Sequence, residues 1–99
     1  MSISVRIESG FIHVYKDSFH YGSCSGTSDN IAASTDGETI AGLQSGGIVV
    51  LYTIEGNHKA TCSGTGFVSV AVSGGEVAAQ KPDGTTSLFY SNGNYKGQY

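Results

Sequence analysis

The chain has 99 residues and a mass of 10.2 kDa, room for one small domain. Five Lys and Arg against eight Asp and Glu give a net charge of −3, which argues against a duplex nucleic-acid binder working through a basic surface. A hydrophobic share of 38% is too high for a disordered chain, and no apolar run approaches the length of a membrane span. The segment Met1-Ser2-Ile3-Ser4-Val5-Arg6 has no basic region followed by a long apolar core, so no secretory signal is expected. The expected setting is cytoplasmic.

Along the chain, short runs of β-branched, aromatic and small apolar residues alternate with Gly, Asn, Asp and Ser, the pattern of strands and turns. No window sustains an apolar period of 3.6 residues, so no helix is predicted. The first strands fall near 3–8, 11–16 and 19–24. Four more follow at about 30–34, 39–44, 47–54 and 58–62, with Thr35-Asp36-Gly37 as the first hairpin turn. A last set lies near 67–72, 76–81, 85–91 and 94–99, turning at Ser73-Gly74-Gly75, Asp83-Gly84 and Asn92-Gly93. The first set lacks a counterpart of the innermost strand of the other two.

The sets repeat. Gly10-Phe11-Ile12-His13-Val14-Tyr15 returns as Gly47-Ile48-Val49-Val50-Leu51-Tyr52 at an offset of 37. Cys24-Ser25-Gly26-Thr27 returns as Cys62-Ser63-Gly64-Thr65 at 38, as do Gly37-Glu38 at Gly75-Glu76 and Leu51-Tyr52 at Phe89-Tyr90. Gly56-Asn57-His58-Lys59 returns as Gly93-Asn94-Tyr95-Lys96 at 37. These anchors divide a single domain, 1–99, into units of about 1–27, 28–65 and 66–99. The segment 67–72 is apolar or small on both faces, as a strand covered on both sides should be, whereas 57–62 reads as a solvated outer strand.

A small inner strand graded towards a polar outer strand, repeated at 37–38 residues, resembles the blade of a β-propeller. The implied fold is all-β, about 2.75 four-stranded blades closing as a homo-oligomeric ring, a dimer or a trimer, because an open fragment leaves blade faces and strand edges uncovered. The stretch Leu43-Gln44-Ser45-Gly46-Gly47-Ile48-Val49-Val50-Leu51-Tyr52 also resembles the sugar-binding repeat of the monocot mannose-binding lectins, three-fold β-prisms. Gln44, Val50 and Tyr52 match that motif, but Gly46 and Ile48 stand in place of its Asp and Asn, so the mannose chemistry does not carry over. The β-prism remains the alternative fold.

Positions that break the repeat are candidate sites. His13 stands where the other units have Val50 and Leu88, and Arg6 where the second has Gly42. Arg6 can hold an anion bidentately; an ion pair or a solvated edge charge is the commoner role. A satisfied core or edge side chain is likewise the commoner role for His13. His20 and His58 are repeat equivalents of Tyr95, with Lys59 and Lys96 beside the last two, which suggests either a recurring polar pocket or an exposed outer-strand face. Tyr15, Tyr52 and Tyr90 share one place in the repeat and suit packing. Cys24 and Cys62, equivalent points of neighbouring units, are expected to be free thiols.

His20 with Cys24, and His58 with Cys62, have a spacing of four, but on a strand that is roughly 13 Å, too far for one metal ion. No metal or cofactor is expected. Gly22-Ser23-Cys24-Ser25-Gly26 matches a nucleophile elbow by letter, yet no helix follows to form one. Glu8, Asp36, Glu38, Glu76 and Asp83 sit mostly at turns. These readings point to a non-enzymatic binder of a small polar ligand, a sugar or a nucleotide-like molecule such as an intracellular nucleotide signal. A protein-interaction scaffold and a lectin-like carbohydrate module are the alternatives. No membrane partner is expected.

Overall fold

Among the described residues, alternating side chains and glycine-rich turns produce eleven antiparallel strands in three open sheets. The structure, a computed structural model, describes residues 2–24 and 29–98. The first sheet holds β1 (Ile3–Glu8), β2 (Phe11–Lys16) and β3 (Phe19–Ser23), in that order. The middle sheet holds β4 (Asn30–Thr35), β5 (Thr39–Gln44), β6 (Val49–Thr53) and β7 (His58–Thr61), and the last holds β8 (Ser69–Ser73), β9 (Glu76–Gln80), β10 (Thr86–Tyr90) and β11 (Tyr95–Gln98). Among the described residues no sheet closes on itself, and no helix is long and apolar enough to cross a membrane.

Turn chemistry explains why the first and middle sets match at both 37 and 38. In the middle and last sheets the second and third hairpins each turn through three residues and end on a positive-φ glycine: Gly47, Gly56, Gly84 and Gly93. In the first sheet, Ser9-Gly10 and Asp17-Ser18 do the same work with two residues, all four at positive φ. Each short turn drops one residue. The first sheet therefore matches the middle one at offsets of 36, 37 and 38 on its successive strands, while the middle and last sheets match at 37 throughout. The β-bulges mark the frame, falling at Val14/Tyr15, Leu51/Tyr52 and Leu88/Phe89.

That frame corrects three equivalences. Phe89, not Tyr90, corresponds to Tyr15 and Tyr52; Ser87, not Leu88, corresponds to His13 and Val50; and Gly74-Gly75, not Gly75-Glu76, corresponds to Gly37-Glu38. The sequence hid the first two because β10 carries two aromatic residues in succession and only the register tells which one packs. Phe89 is 1% exposed and Tyr90 49%.

The middle sheet lies between the other two. Its Ile40, Val50 and Tyr52 form one apolar cluster with Ile12 and Val14 of the first sheet. Its Ala41, Leu43, Val49 and Leu51 form the other with Val72, Val77, Ala79 and Phe89 of the last. Burying both faces makes β5 and β6 nearly continuous buried runs. The same devices recur at each junction. Asn30 N–H donates to Gly10 O, and Phe67 N–H to Gly47 O, 37 residues on. A Cβ on Gly56 would lie 2.2 Å from Ser23 O, and one on Gly93 would lie 2.6 Å from Ala60 Cβ, so a turn glycine of each later sheet seats on the outer strand before it.

The expectation that 67–72 is a strand covered on both faces fails. The strand begins at Ser69, and Ser69, Ala71 and Ser73 are exposed, because the last sheet has a neighbour on one side only. The strand expected from 47 begins at Val49, since Gly47 belongs to the turn. Ser25, Gly26, Thr27, Ser28 and Tyr99 lie outside the described residues, and with them part of the repeated Cys-Ser-Gly-Thr motif, part of the elbow-like motif, the junction of the first two units and the end of the last strand.

Candidate ligand-binding face

The side of the first sheet that points away from the middle sheet is polar. Register assembles it strand by strand: Ser4 pairs with Tyr15, Arg6 with His13 and Glu8 with Phe11. On the next strand His13 pairs with Ser23 and Tyr15 with His20. His20 and Ser23 are three residues apart and would point to opposite faces of a regular strand. The bulge at Val14/Tyr15 restores them to one face.

The contacts form a connected set. His13 Nδ1 lies 3.2 Å from His20 Nε2 and 3.0 Å from Ser23 Oγ, the imidazole tautomers deciding which nitrogen donates. The Tyr15 ring meets His20 edge-on at 5.5 Å, and the Arg6 guanidinium sits 5.2 Å from the Tyr15 centroid, within cation–π range. Tyr15 donates its hydroxyl to Glu8 Oε2 at 2.9 Å. That bond first, and then desolvation and the Glu8 charge, push the phenol above its ordinary pKa, while Arg6 opposes them. A pocket of about 340 Å3 opens beside this set, lined by Ser4, Val5, Arg6, Tyr15 and Ser18. A fixed cation, an aromatic plane, imidazoles and hydroxyls together suit a ligand with an anionic group and a polar or planar ring.

Arg6, His13 and His20, singled out separately in the sequence, thus meet on one surface. The remaining candidates lie elsewhere, each engaged within its own sheet. His58 Nε2 is 3.2 Å from Thr61 Oγ1, and Lys59 donates to Thr39 Oγ1 at 2.9 Å. Tyr95 stacks edge-on against Phe89, and Lys96 pairs with Glu76. The equivalence of His20, His58 and Tyr95 holds, since each meets the aromatic at the bulge of its own sheet. Only in the first sheet does that pair face outward.

Ser4, Ser18 and Ser23 gave no signal in the sequence, and Tyr15 and Glu8 read as packing and turn residues. Cross-strand neighbours bring in Ser4, Ser23, Tyr15 and Glu8, and the pocket lining brings in Ser18. Cys24 and Cys62 are free and buried in different clusters, and burial pushes both thiols up to about 11, which leaves them protonated and weakly nucleophilic near neutrality. Asp36 serves its turn, accepting N–H bonds from Glu38, Thr39 and Gly75. No protein-family model matches the chain, and no curated protein does.

Proposed function

We propose that this protein is a non-enzymatic binder of a small polar ligand, sugar or nucleotide-like, built as a homo-oligomeric β-propeller. The observation that carries the ligand half is the convergence of Arg6, His13 and His20 from three strands on one exposed face, beside Tyr15 and the adjoining pocket. The propeller half is supported by the double burial of the middle sheet. In a β-prism each sheet turns one face inward and leaves the other outside; here β5 and β6 are covered on both. The inner strand β4 lies against β1 on one side and β8 on the other, as inner blade strands do around an axis.

The test is a thermal-shift series with sugars, mononucleotides and cyclic or linked nucleotides, followed by calorimetry on any stabilising class. The expected result is stabilisation by one class, lost in Arg6→Ala and His13→Ala. Stabilisation unchanged in both variants sinks the assignment of the face. No response to any class, with capture of a protein partner, favours the scaffold reading.

A further inference from the structure

Two faces of the stack have no neighbour in a single chain: the polar face of the first sheet and the far face of the last. Their residues follow a size pattern already present at the two internal junctions. At the first junction Gly42 is needed because a Cβ there would lie 2.5 Å from Ile12 Cδ1. At the second, the corresponding residues are Ala79 and Val49, both fully buried in one cluster. The receiving residue has grown and the knob has shrunk. On the open faces the corresponding residues are Arg6 and Thr86. The series runs Gly with Ile, Ala with Val, Arg with Thr.

A second pair changes in the same sense. At the second junction Gly93 seats on Ala60. The open faces carry Ser18, at positive φ like Gly93, and Gly97, above which there is open space. Again the side chain has moved from one partner to the other. The polarity is matched as well: Gln80 and Thr86 replace Leu43 and Val49 on the face that would meet the Arg6 guanidinium, supplying oxygen acceptors where the internal junction has hydrocarbon.

We infer that the far face of the last sheet of one copy stacks on the polar face of the first sheet of another, head to tail, with Thr86 of the partner subunit over Arg6. This rests on the ring reading above and adds which faces meet. It also completes the ligand site: the pocket floored by Ser4, Arg6 and Tyr15 is roofed by the far face of a second chain, so the ligand is held between subunits. Repetition of one heterologous contact closes into a ring when the rotation permits.

The experiment is absolute mass by light scattering over a dilution series for the wild type, Thr86→Ile, and Thr86→Ile combined with Arg6→Gly. Thr86 is half-buried on an open face, so the chain keeps its fold, which a melting curve checks. Wild type is expected to be oligomeric. Thr86→Ile, which returns the large knob against Arg6, weakens association at least about tenfold. The double variant rebuilds the Gly42–Ile12 pairing and recovers the wild-type mass. An oligomer indifferent to Thr86→Ile, or a double variant that fails to recover, overturns this assignment of faces and leaves the ring standing. A chain that stays monomeric at every concentration overturns both, and ligand binding by such a monomer leaves only the ligand half of the proposed function.

Discussion

The first and middle sheets share a register, their bulges and an edge-on Tyr–His pair, yet the equivalent face is water-facing in one and core in the other. Tyr52 is 2% exposed under the first sheet, and burial raises its phenol pKa. Tyr15, its counterpart, is only half-buried and bonds Glu8 instead. Around them Ile40, Gly42 and Val50 become Ser4, Arg6 and His13. The difference teaches that the strand scaffold is indifferent to what its faces carry, since backbone pairing and turn glycines set the geometry. The presence or absence of a neighbouring sheet sets the chemistry of each face.

The sharpest way to break that comparison is to exchange the residues at one position. Gly42→Arg forces a long cation into a space where even a Cβ meets Ile12 at 2.5 Å, and it buries a charge. The expected loss exceeds about 3 kcal/mol and is enough to prevent folding of the marginal domain. Arg6→Gly, on the open face, costs a single chain only the mid-strand glycine penalty and the loss of the Tyr15 contact, about 1 kcal/mol. Urea titrations of the two variants decide it, and similar losses in both would refute the claim that the faces differ in burial.

A smaller contrast compares the middle and last sheets. Leu51 is fully buried between layers, whereas its equivalent Leu88, buried to 9% exposure by its own sheet, lies on the side of the last sheet that no other sheet covers. Leu51→Ala should cost about 3 kcal/mol and Leu88→Ala about half that in a dissociated chain. If Leu88→Ala approaches the larger value only where the chain associates, the last sheet is covered by a second copy.

Next come the turns. Gly56 has φ +93° and no room for a Cβ beside Ser23 O, while Gly84 has φ +91° and open space around it. Alanine at Gly84 carries only the left-handed backbone cost, roughly 1 kcal/mol, and at Gly56 the steric displacement adds to it for about 2 kcal/mol or more. Equal melting points for the two variants would mean that the outer-strand seat beneath Gly56 contributes nothing.

Strand positions and turns were legible in the sequence because Gly, Asn and Asp at hairpin tips and β-branched runs between them act locally. The frame of the repeat was not. A one-residue change in turn length shifts every later equivalence, and Phe89-Tyr90 reads as Leu51-Tyr52 unless the bulge is known. For the same reason Arg6, His13 and His20 stood out one by one, each against its repeat partners, but their meeting on a single face depends on the bulge at Tyr15. Serines at 4, 18 and 23 are ordinary strand and turn residues until a cation and two imidazoles are placed beside them.

The smallest expected effect concerns Asp36, whose place in the last sheet is taken by Ser73. Partial burial alone would raise its pKa, but the N–H groups of Thr39, Glu38 and Gly75 outweigh that and hold the carboxyl below its ordinary value of 3.8. Two of those amides belong to its own hairpin, and the third, 2.7 Å away, belongs to the last sheet. A depressed folded pKa contributes stability that is present in full above the unfolded value and is lost as the pH falls through the folded one. Asp36→Ala should therefore cost about 1 kcal/mol at neutral pH, and wild type and variant should converge as the pH falls below the ordinary carboxyl value of 3.8 and through the lowered folded one. The carboxylate matters because it ties two sheets at the inner edge of the stack. A variant whose deficit persists undiminished in acid would show that Asp36 acts through the shape of its turn rather than through its charge.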